Sequence, residues 1–139
     1  EAAIAILAKA RDIYLLGLGG SYPVVAHLAY VLRKLGRRVV VLDGIGGSIG
    51  EQCHAATPED ALVAVSFRNY YPDTARLFPE LVARGVPAIA ITDSLLGPIA
   101  EGADVVFEIH DMPEPALRTL VAPMCLVQAI AVGLNLTEG

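Results

Sequence analysis

The sequence IYLLGLGGS at residues 13–21 decides the fold of this chain. A run of apolar residues breaks into a glycine-rich turn, and Ser21 then opens a segment in which apolar residues recur at helical spacing. The first N–H groups of a helix have no intrahelical partner, and the helix dipole adds positive potential there. A strand, a glycine turn and a helix N-terminus in this order therefore predict an α/β domain that binds an anion such as phosphate.

Two residues at the end of that stretch refine the prediction. Ser21 can either cap the helix or donate its hydroxyl to a bound oxyanion. Pro23 fits the first turn of the helix, where a missing N–H costs nothing.

The composition limits the class of protein. Of the 139 residues, 55% are apolar and 18% are charged, which is typical of a sheet covered on both faces or of a domain that hides surface in an oligomer. The net charge of −5 and the lack of a basic run make the chain itself a poor nucleic-acid binder. Cys53 and Cys125 form no CxxC pair, which indicates a reducing cytoplasm, and we expect Cys125 to be a small core residue.

One uncharged segment approaches the minimum length of a membrane-spanning helix, at residues 119–136. Pro123, Gln128 and Asn135 interrupt it, and no basic flank follows. We therefore expect a buried or dimer-forming helix and no membrane partner.

Strand and helix patterns alternate along the chain. Apolar runs predict strands at residues 12–18, 38–42, 61–67, 87–92 and 103–109. Helical patterns occupy residues 1–10, 21–35, 71–84 and, after the turn-forming residues 112–115, about 116–134, with short helical turns within 44–56 and 95–101. The alternation predicts right-handed crossovers and a three-layer α/β/α sandwich with a five-stranded parallel sheet, in one domain spanning residues 1–139. Because the chain begins with Glu1 rather than Met, we expect a fragment of a longer protein or a trimmed form.

Polar loops follow the predicted strands, and ligands of such sheets bind beyond the carboxyl ends of the strands. We therefore expect the loops after Leu18 and Leu42, residues 66–70 and residues 92–94 to form one site. Arg68 is suited to bidentate binding of phosphate or carboxylate. The alternative is a surface arginine paired with Asp73 or Glu51, while Tyr70 and Tyr71 serve equally well as packing residues or ligand contacts.

Other site classes fit less well. A dinucleotide fingerprint starting at Gly17 needs glycine where Tyr22 stands, although Asp43 lies where a ribose-binding acid would be. The order GLGGS is not the GxSxG of a hydrolase. Cys53 beside His54 has no second cluster at metal-ligand spacing, so we expect neither a metal nor a cofactor.

At Gly19, Gly20 and Ser21 the chain resembles the sugar isomerase (SIS) family of phosphosugar-binding domains. Ser66 matches the opening serine of the family's second loop, usually Ser-x-Ser-Gly-x-Thr, and residues 91–104 resemble its fourth-to-fifth strand segment. The similarity covers roughly residues 10–109. Within the family, the Ser-Phe-Arg-x-Tyr pattern of residues 66–70 resembles the effector domains of RpiR-type transcription regulators, which carry an N-terminal helix-turn-helix domain and sense a sugar phosphate or related metabolite.

Several residues depart from the family pattern. Arg68 stands where a second serine is usual, Asn69 replaces a glycine, and Tyr71 replaces a small hydroxyl residue. Gly97 replaces the serine often seen before Pro98. The cradle of hydroxyls is thus partly replaced by one cation and two rings, which is compatible with a smaller pocket or a carboxylated ligand.

The resemblance implies a cytoplasmic ligand-sensing module that binds a phosphorylated sugar or similar small anion. It further implies contact with DNA only through a helix-turn-helix domain absent from this chain. Because a lone domain this apolar would expose a large patch, we also expect the final helix, and the first as a second candidate, to form the face of a homodimer or higher oligomer. The residues expected to bind the ligand are Gly19, Gly20, Ser21, Ser66, Arg68, Asn69, Thr92 and Asp93.

The competing hypothesis is a phosphosugar aldose–ketose isomerase, which needs a general base. Glu51 and His54 are the weak candidates for that base, and we assign no catalytic residue. His27 and His110 are further histidines, and none of the three stands at a spacing that enforces a titratable partner. A scaffold that has lost its ligand is the third possibility.

Overall fold

A computed structural model describes residues 1–110 and 119–138. The strands are β1 Ile13–Leu16, β2 Val39–Val41, β3 Ala61–Ser66, β4 Ala88–Thr92 and β5 Val105–Glu108. The α-helices are α1 Ala2–Lys9, α2 Tyr22–Lys34, α3 Ile49–His54, α4 Pro72–Ala83 and α5 Val121–Glu138. Turns of 3-10 helix lie at Gly19–Ser21 and Ile45–Gly47. The predicted turn at residues 112–115 and the predicted helix start at 116 lie outside the described residues.

The five strands form one parallel sheet in the order β2-β1-β3-β4-β5. Its register pairs Leu16 with Ala64 and Ser66 with Thr92. The predicted five-stranded parallel sheet is therefore confirmed, with β3 at its centre.

Helices cover both faces of the sheet. Alternate residues of a strand point to opposite faces, so each face has its own apolar core. On one face, Leu15 and Val63 pack with residues of α1, α2 and α5. On the other face, Leu16 and Ala64 pack with residues of α3 and α4, including the fully buried Phe78. This is the predicted three-layer sandwich.

The final helix, α5, has a buried side and an exposed side, although it carries almost no charge. It buries Val127 and Leu134 against α1 and α2, and its Gln128 Oε1 lies 2.9 Å from His27 Nε2 of α2. Val132 and Leu136 remain exposed. The helix extends to Glu138, beyond the predicted end at Leu134. No helix within residues 1–110 and 119–138 combines the length and apolarity needed to cross a membrane.

A buried carboxylate stabilises the edge of the sheet where the strands begin. The Asp60 side chain is fully buried and accepts hydrogen bonds from the backbone N–H of Thr57 at 2.8 Å and of Asp12 at 3.1 Å. Arg11 Nε lies 3.4 Å from its Oδ1. The network joins the loop before β3 to the start of β1.

An open cavity of about 430 Å³ lies at the same edge, where Lys9, Arg11, Glu59 and Pro87 line it. The cavity therefore lies at the amino ends of the strands, at the other end of the sheet from the proposed ligand site.

Candidate functional site

The strand order places a crevice between the carboxyl ends of β1 and β3. These strands are neighbours, but β1 leads to β2 on one side and β3 leads to β4 on the other, and such a switch point opens a ligand crevice. Neighbouring strands lie about 4.8 Å apart. The turn containing Ser21 follows β1 and Ser66 ends β3, so both serines lie at this edge, and both are buried.

The turn after β1 is built on glycine. Gly19 adopts a φ of +60°, a left-handed conformation that favours glycine. A Cβ there would lie 3.0 Å from Cδ2 of Tyr71, so the Tyr71 ring packs directly on the turn. Ser21 makes no capping hydrogen bond, so its hydroxyl does not have the first of the two predicted roles. Pro23 lies in the first turn of α2, as expected.

The turn after β3 is held by the loop after β4. The backbone N–H of Arg68 donates to Asp93 Oδ2 at 2.8 Å, and the Tyr70 hydroxyl donates to Asp93 Oδ1 at 2.7 Å. Between them Asn69 has a φ of +68°, which is uncommon for a residue with a side chain. Asp93 thus belongs to this loop's scaffold, a role that sequence reasoning did not assign to it.

Arg68 is exposed in the turn after β3, at the carboxyl end of the sheet. Among the described residues, Arg68 forms no ion pair with Asp73 or Glu51, the two partners considered for a surface arginine. Asp73 pairs instead with Arg76 at 3.2 Å. The positive charge of Arg68 is therefore placed where an anion can reach it.

Burial, and then the hydrogen bond to Asp93, raise the pKa of Tyr70 above its ordinary value. The phenol is consequently a protonated donor at neutral pH. A Cβ on Gly97 would lie 2.8 Å from the Tyr70 hydroxyl oxygen, so a side chain at position 97 would strike it. The departure from serine at position 97 makes room for this tyrosine.

Three buried hydroxyl residues lie on the α4 side of the same edge. Ser66 and Thr92 are register partners whose side chains share the face of Ala64 and Ala90. Thr74 lies in the first turn of α4, on the buried stripe that Leu77 and its neighbours form. The Oγ1 atom of Thr74 is buried and has no hydrogen-bond partner among the described residues. The Thr92 side chain lies beside the Tyr70 hydroxyl and acts on the pKa of Tyr70 as a hydrogen-bond partner.

Sequence reasoning did not select Thr74. The signal was present, because Thr74 stands three and four residues before Leu77 and Phe78, on the apolar stripe of the helix. The helix also begins without a side-chain cap and with Pro72 in its first turn, so its first N–H groups keep their capacity for a ligand.

The candidates for a general base lie on the short helix α3, which follows β2 rather than β1 or β3. Glu51 and His54 are both exposed on the short helix α3. The Asp43 carboxylate accepts hydrogen bonds from the Gln52 amide at 2.9 Å and from the Ile45 N–H, and these two bonds lower its pKa. Asp43 thus stabilises its own loop.

The expectation that no histidine has a titratable partner is wrong for His110. Its Nε2 lies 3.1 Å from Oε1 of Glu108, because alternate residues at the end of β5 place both side chains together. Glu108 also accepts the Leu95 N–H at 3.0 Å and so holds the loop after β4.

The two cysteines differ from each other in exposure. Burial is the main cause that raises the pKa of Cys53 to about 11, so its thiol is unreactive. The expectation of a buried Cys125 is wrong, because Cys125 lies off the stripe through which α5 packs and is exposed. Within the described part of the chain, no three His, Cys, Asp or Glu residues cluster in a way that could hold a metal ion.

Comparison with known proteins gives a consistent picture. A family model described as SIS domain matches residues 6–133. A protein of Haemophilus influenzae named as an uncharacterized HTH-type transcriptional regulator is 31% identical over 108 residues, which are 76% of this chain and 36% of that protein. The chain therefore spans about a third of the length of this relative.

Two solved structures share the fold. The sugar isomerase domain of an RpiR transcription factor from Sphaerobacter thermophilus has a TM-score of 0.91 at 28% identity, covering 99% of this chain and 76% of that one. The Vibrio vulnificus NanR protein, complexed with ManNAc-6P, has a TM-score of 0.85 at 18% identity, covering 96% of this chain and 52% of that one.

Proposed function

Because the chain belongs to the SIS domain family, we propose that it binds a phosphorylated sugar at the β1/β3 crevice, as the effector-sensing domain of a transcription regulator. The observation that carries the proposal is the set of anion-binding groups that the switch point brings to one end of the sheet. These groups are the glycine turn after β1, Ser66 at the end of β3, and the exposed Arg68 before the uncapped start of α4.

The residues divide into an anion end and a sugar end. The Arg68 guanidinium, the Ser66 hydroxyl and the first N–H groups of α4 bind the phosphate, since a cation and a helix N-terminus both favour negative charge. The turn at Gly19–Ser21 supplies backbone N–H groups from the other side of the crevice. Asn69 is exposed in the same turn and is a further polar contact for the sugar, whereas Thr92 is fully buried and supports the turn from beneath.

The regulatory part of the proposal rests on the relatives. The match to an HTH-type regulator covers 76% of this chain and 36% of that regulator. The sugar isomerase domain of an RpiR transcription factor shares the fold of this chain. We propose that a helix-turn-helix domain joined to this one contacts DNA, and that the ligand acts by binding two states of the regulator with different affinity.

A thermal-shift screen tests the binding function. At a ligand concentration about 100 times Kd, binding adds about 2.7 kcal/mol of stability, which raises Tm by about 8 °C for a domain of this size. We expect such a rise with at least one sugar 6-phosphate or 5-phosphate, ManNAc-6P among the panel. The unphosphorylated sugars at the same ionic strength are the control, and they should leave Tm unchanged.

The same panel separates sensor from enzyme. Incubation followed by chromatography should show no aldose–ketose interconversion, because Glu51 and His54 are exposed on α3 and no general base is assigned to the crevice. Turnover that Glu51→Gln abolishes would instead establish the isomerase, and a panel without any shift in Tm would favour a scaffold that has lost its ligand.

We also propose that α5 forms a homodimer face. Its exposed side includes Val121, Cys125, Ala129, Val132 and Leu136, which recur at steps of three and four residues and therefore share one side of the helix. Leu136 is 76% exposed, and an apolar stripe of this kind is typical of a protein interface.

Leu136→Glu tests this face, because a charge desolvated in an apolar interface is costly. We expect the mass from light scattering to fall from that of two chains to that of one at equal concentration. Leu96→Glu is the matched control, since Leu96 is 96% exposed on the loop after β4. Dissociation by the control variant alone would place the interface elsewhere.

A further inference from the structure

We propose that Tyr70 and Asp93 are positioning residues that hold Arg68 in place for the anion, an inference that rests on the proposed function. The Asp93 carboxylate joins two donors of one turn: the Arg68 N–H lies 2.8 Å from Oδ2 and the Tyr70 hydroxyl lies 2.7 Å from Oδ1. The side chain that holds the Arg68 backbone thus comes from the loop after the neighbouring strand β4, 25 residues further along the chain.

The pairing of β3 with β4 brings Asp93 close to the turn that contains Arg68. Asp93 follows β4 and the turn follows β3, and the register pair Ser66 and Thr92 places these two exits side by side. A carboxylate repels phosphate, so Asp93 serves an anion best through the turn that it holds rather than by direct contact.

The turn needs such support. Asn69, between the two bonded residues, has a φ of +68°, and a left-handed residue with a side chain persists where its surroundings hold it. The hydrogen bonds on either side of Asn69 fix the backbone at Arg68 and thereby the direction in which its side chain leaves the turn.

A second contact limits the turn on its other side. The Tyr71 ring packs on Gly19, so the segment after β3 lies between the β1 turn and the β4 loop. Gly97 provides the space for the Tyr70 hydroxyl, because a Cβ at position 97 would lie 2.8 Å from the hydroxyl oxygen. Tyr70, through Asp93, and Tyr71, which replaces the usual small hydroxyl residue, thus anchor the turn on its two sides.

A double-mutant cycle tests the proposal, with inorganic phosphate as the probe and amide chemical shifts as the readout, so that weak affinities remain measurable. Tyr70→Phe should weaken phosphate binding by about tenfold, the value of one hydrogen bond to a charged group. In an Arg68→Lys background, where the planar guanidinium is already lost, the same change should have less than a twofold effect. Tyr30→Phe, on the exposed face of α2, is the matched control and should change nothing.

The outcomes are distinct. An equal loss in both backgrounds would show that Tyr70 acts independently of Arg68 and overturn the positioning role, and so would an unchanged affinity in Tyr70→Phe. If Tyr70→Phe does not fold, Gly97→Ala displaces the hydroxyl without removing it and should give the same loss and the same coupling to Arg68. Failure of the unmodified domain to bind phosphate overturns the anion site itself, and the positioning role with it.

Discussion

Arg68→Met is expected to weaken the binding of a sugar phosphate by about 100-fold, because it removes a charge-assisted, bidentate contact from the mouth of the crevice. Methionine keeps much of the length of the side chain, so the loss reports the guanidinium rather than the packing. Arg68 is exposed and belongs to no described ion pair, so the free energy of unfolding should stay within about 0.5 kcal/mol of the original.

Calorimetry with the best ligand of the thermal-shift screen measures this effect. Arg76→Met is the matched control, because Arg76 is also exposed and lies on α4 but pairs with Asp73. An Arg68→Met variant that binds the sugar phosphate as tightly as the original would remove the anion end from the proposed site. A loss of the same size in Arg76→Met would indicate a general effect of net charge.

Asp60→Ala is expected to lower the free energy of unfolding by about 3 to 5 kcal/mol, because it removes a fully buried acceptor from two backbone N–H groups and a hydroxyl. The substitution leaves the N–H groups of Thr57 and Asp12 without their acceptor and leaves Arg11 without its buried partner. Each unsatisfied donor costs about 1 to 3 kcal/mol.

Urea unfolding of the two variants Asp60→Ala and Glu59→Ala checks this result. Glu59 lies 3.8 Å from Arg11, but its side chain is 75% exposed, so its removal should change stability by less than about 0.5 kcal/mol. Equal effects for the two variants would contradict the role of the buried network. The binding of sugar phosphate at low denaturant should be unchanged in both, since the network lies at the far edge of the sheet.

The sequence predicts the sheet and the first turn well, because both depend on local patterns. The apolar run, the glycines and Ser21 are contiguous, and the alternation of strands and helices leaves few topologies. The run at residues 38–42 predicts a strand from its valines, although β2 lies at the sheet edge and its valines are only half-buried.

Contacts between distant residues are where sequence reasoning fails. Asp60 meets Asp12 across 48 residues, and Asp93 meets Tyr70 across 23, and only strand pairing brings either pair together. Cys125 was misassigned for a related reason, since an almost uncharged helix gives no polar face from which to tell its buried side.

β1 and β3 meet in the sheet although residues 17–60 separate them along the chain. A metabolite that touches the turns after both strands is therefore bound by two stretches of chain that are distant in sequence and meet through the pairing of β1 with β3 and the packing around it. Separation of β1 from β3 would release the metabolite, and by linkage the bound metabolite stabilises the pairing of these strands. The bound metabolite would therefore add its binding free energy to the cost of separating β1 from β3.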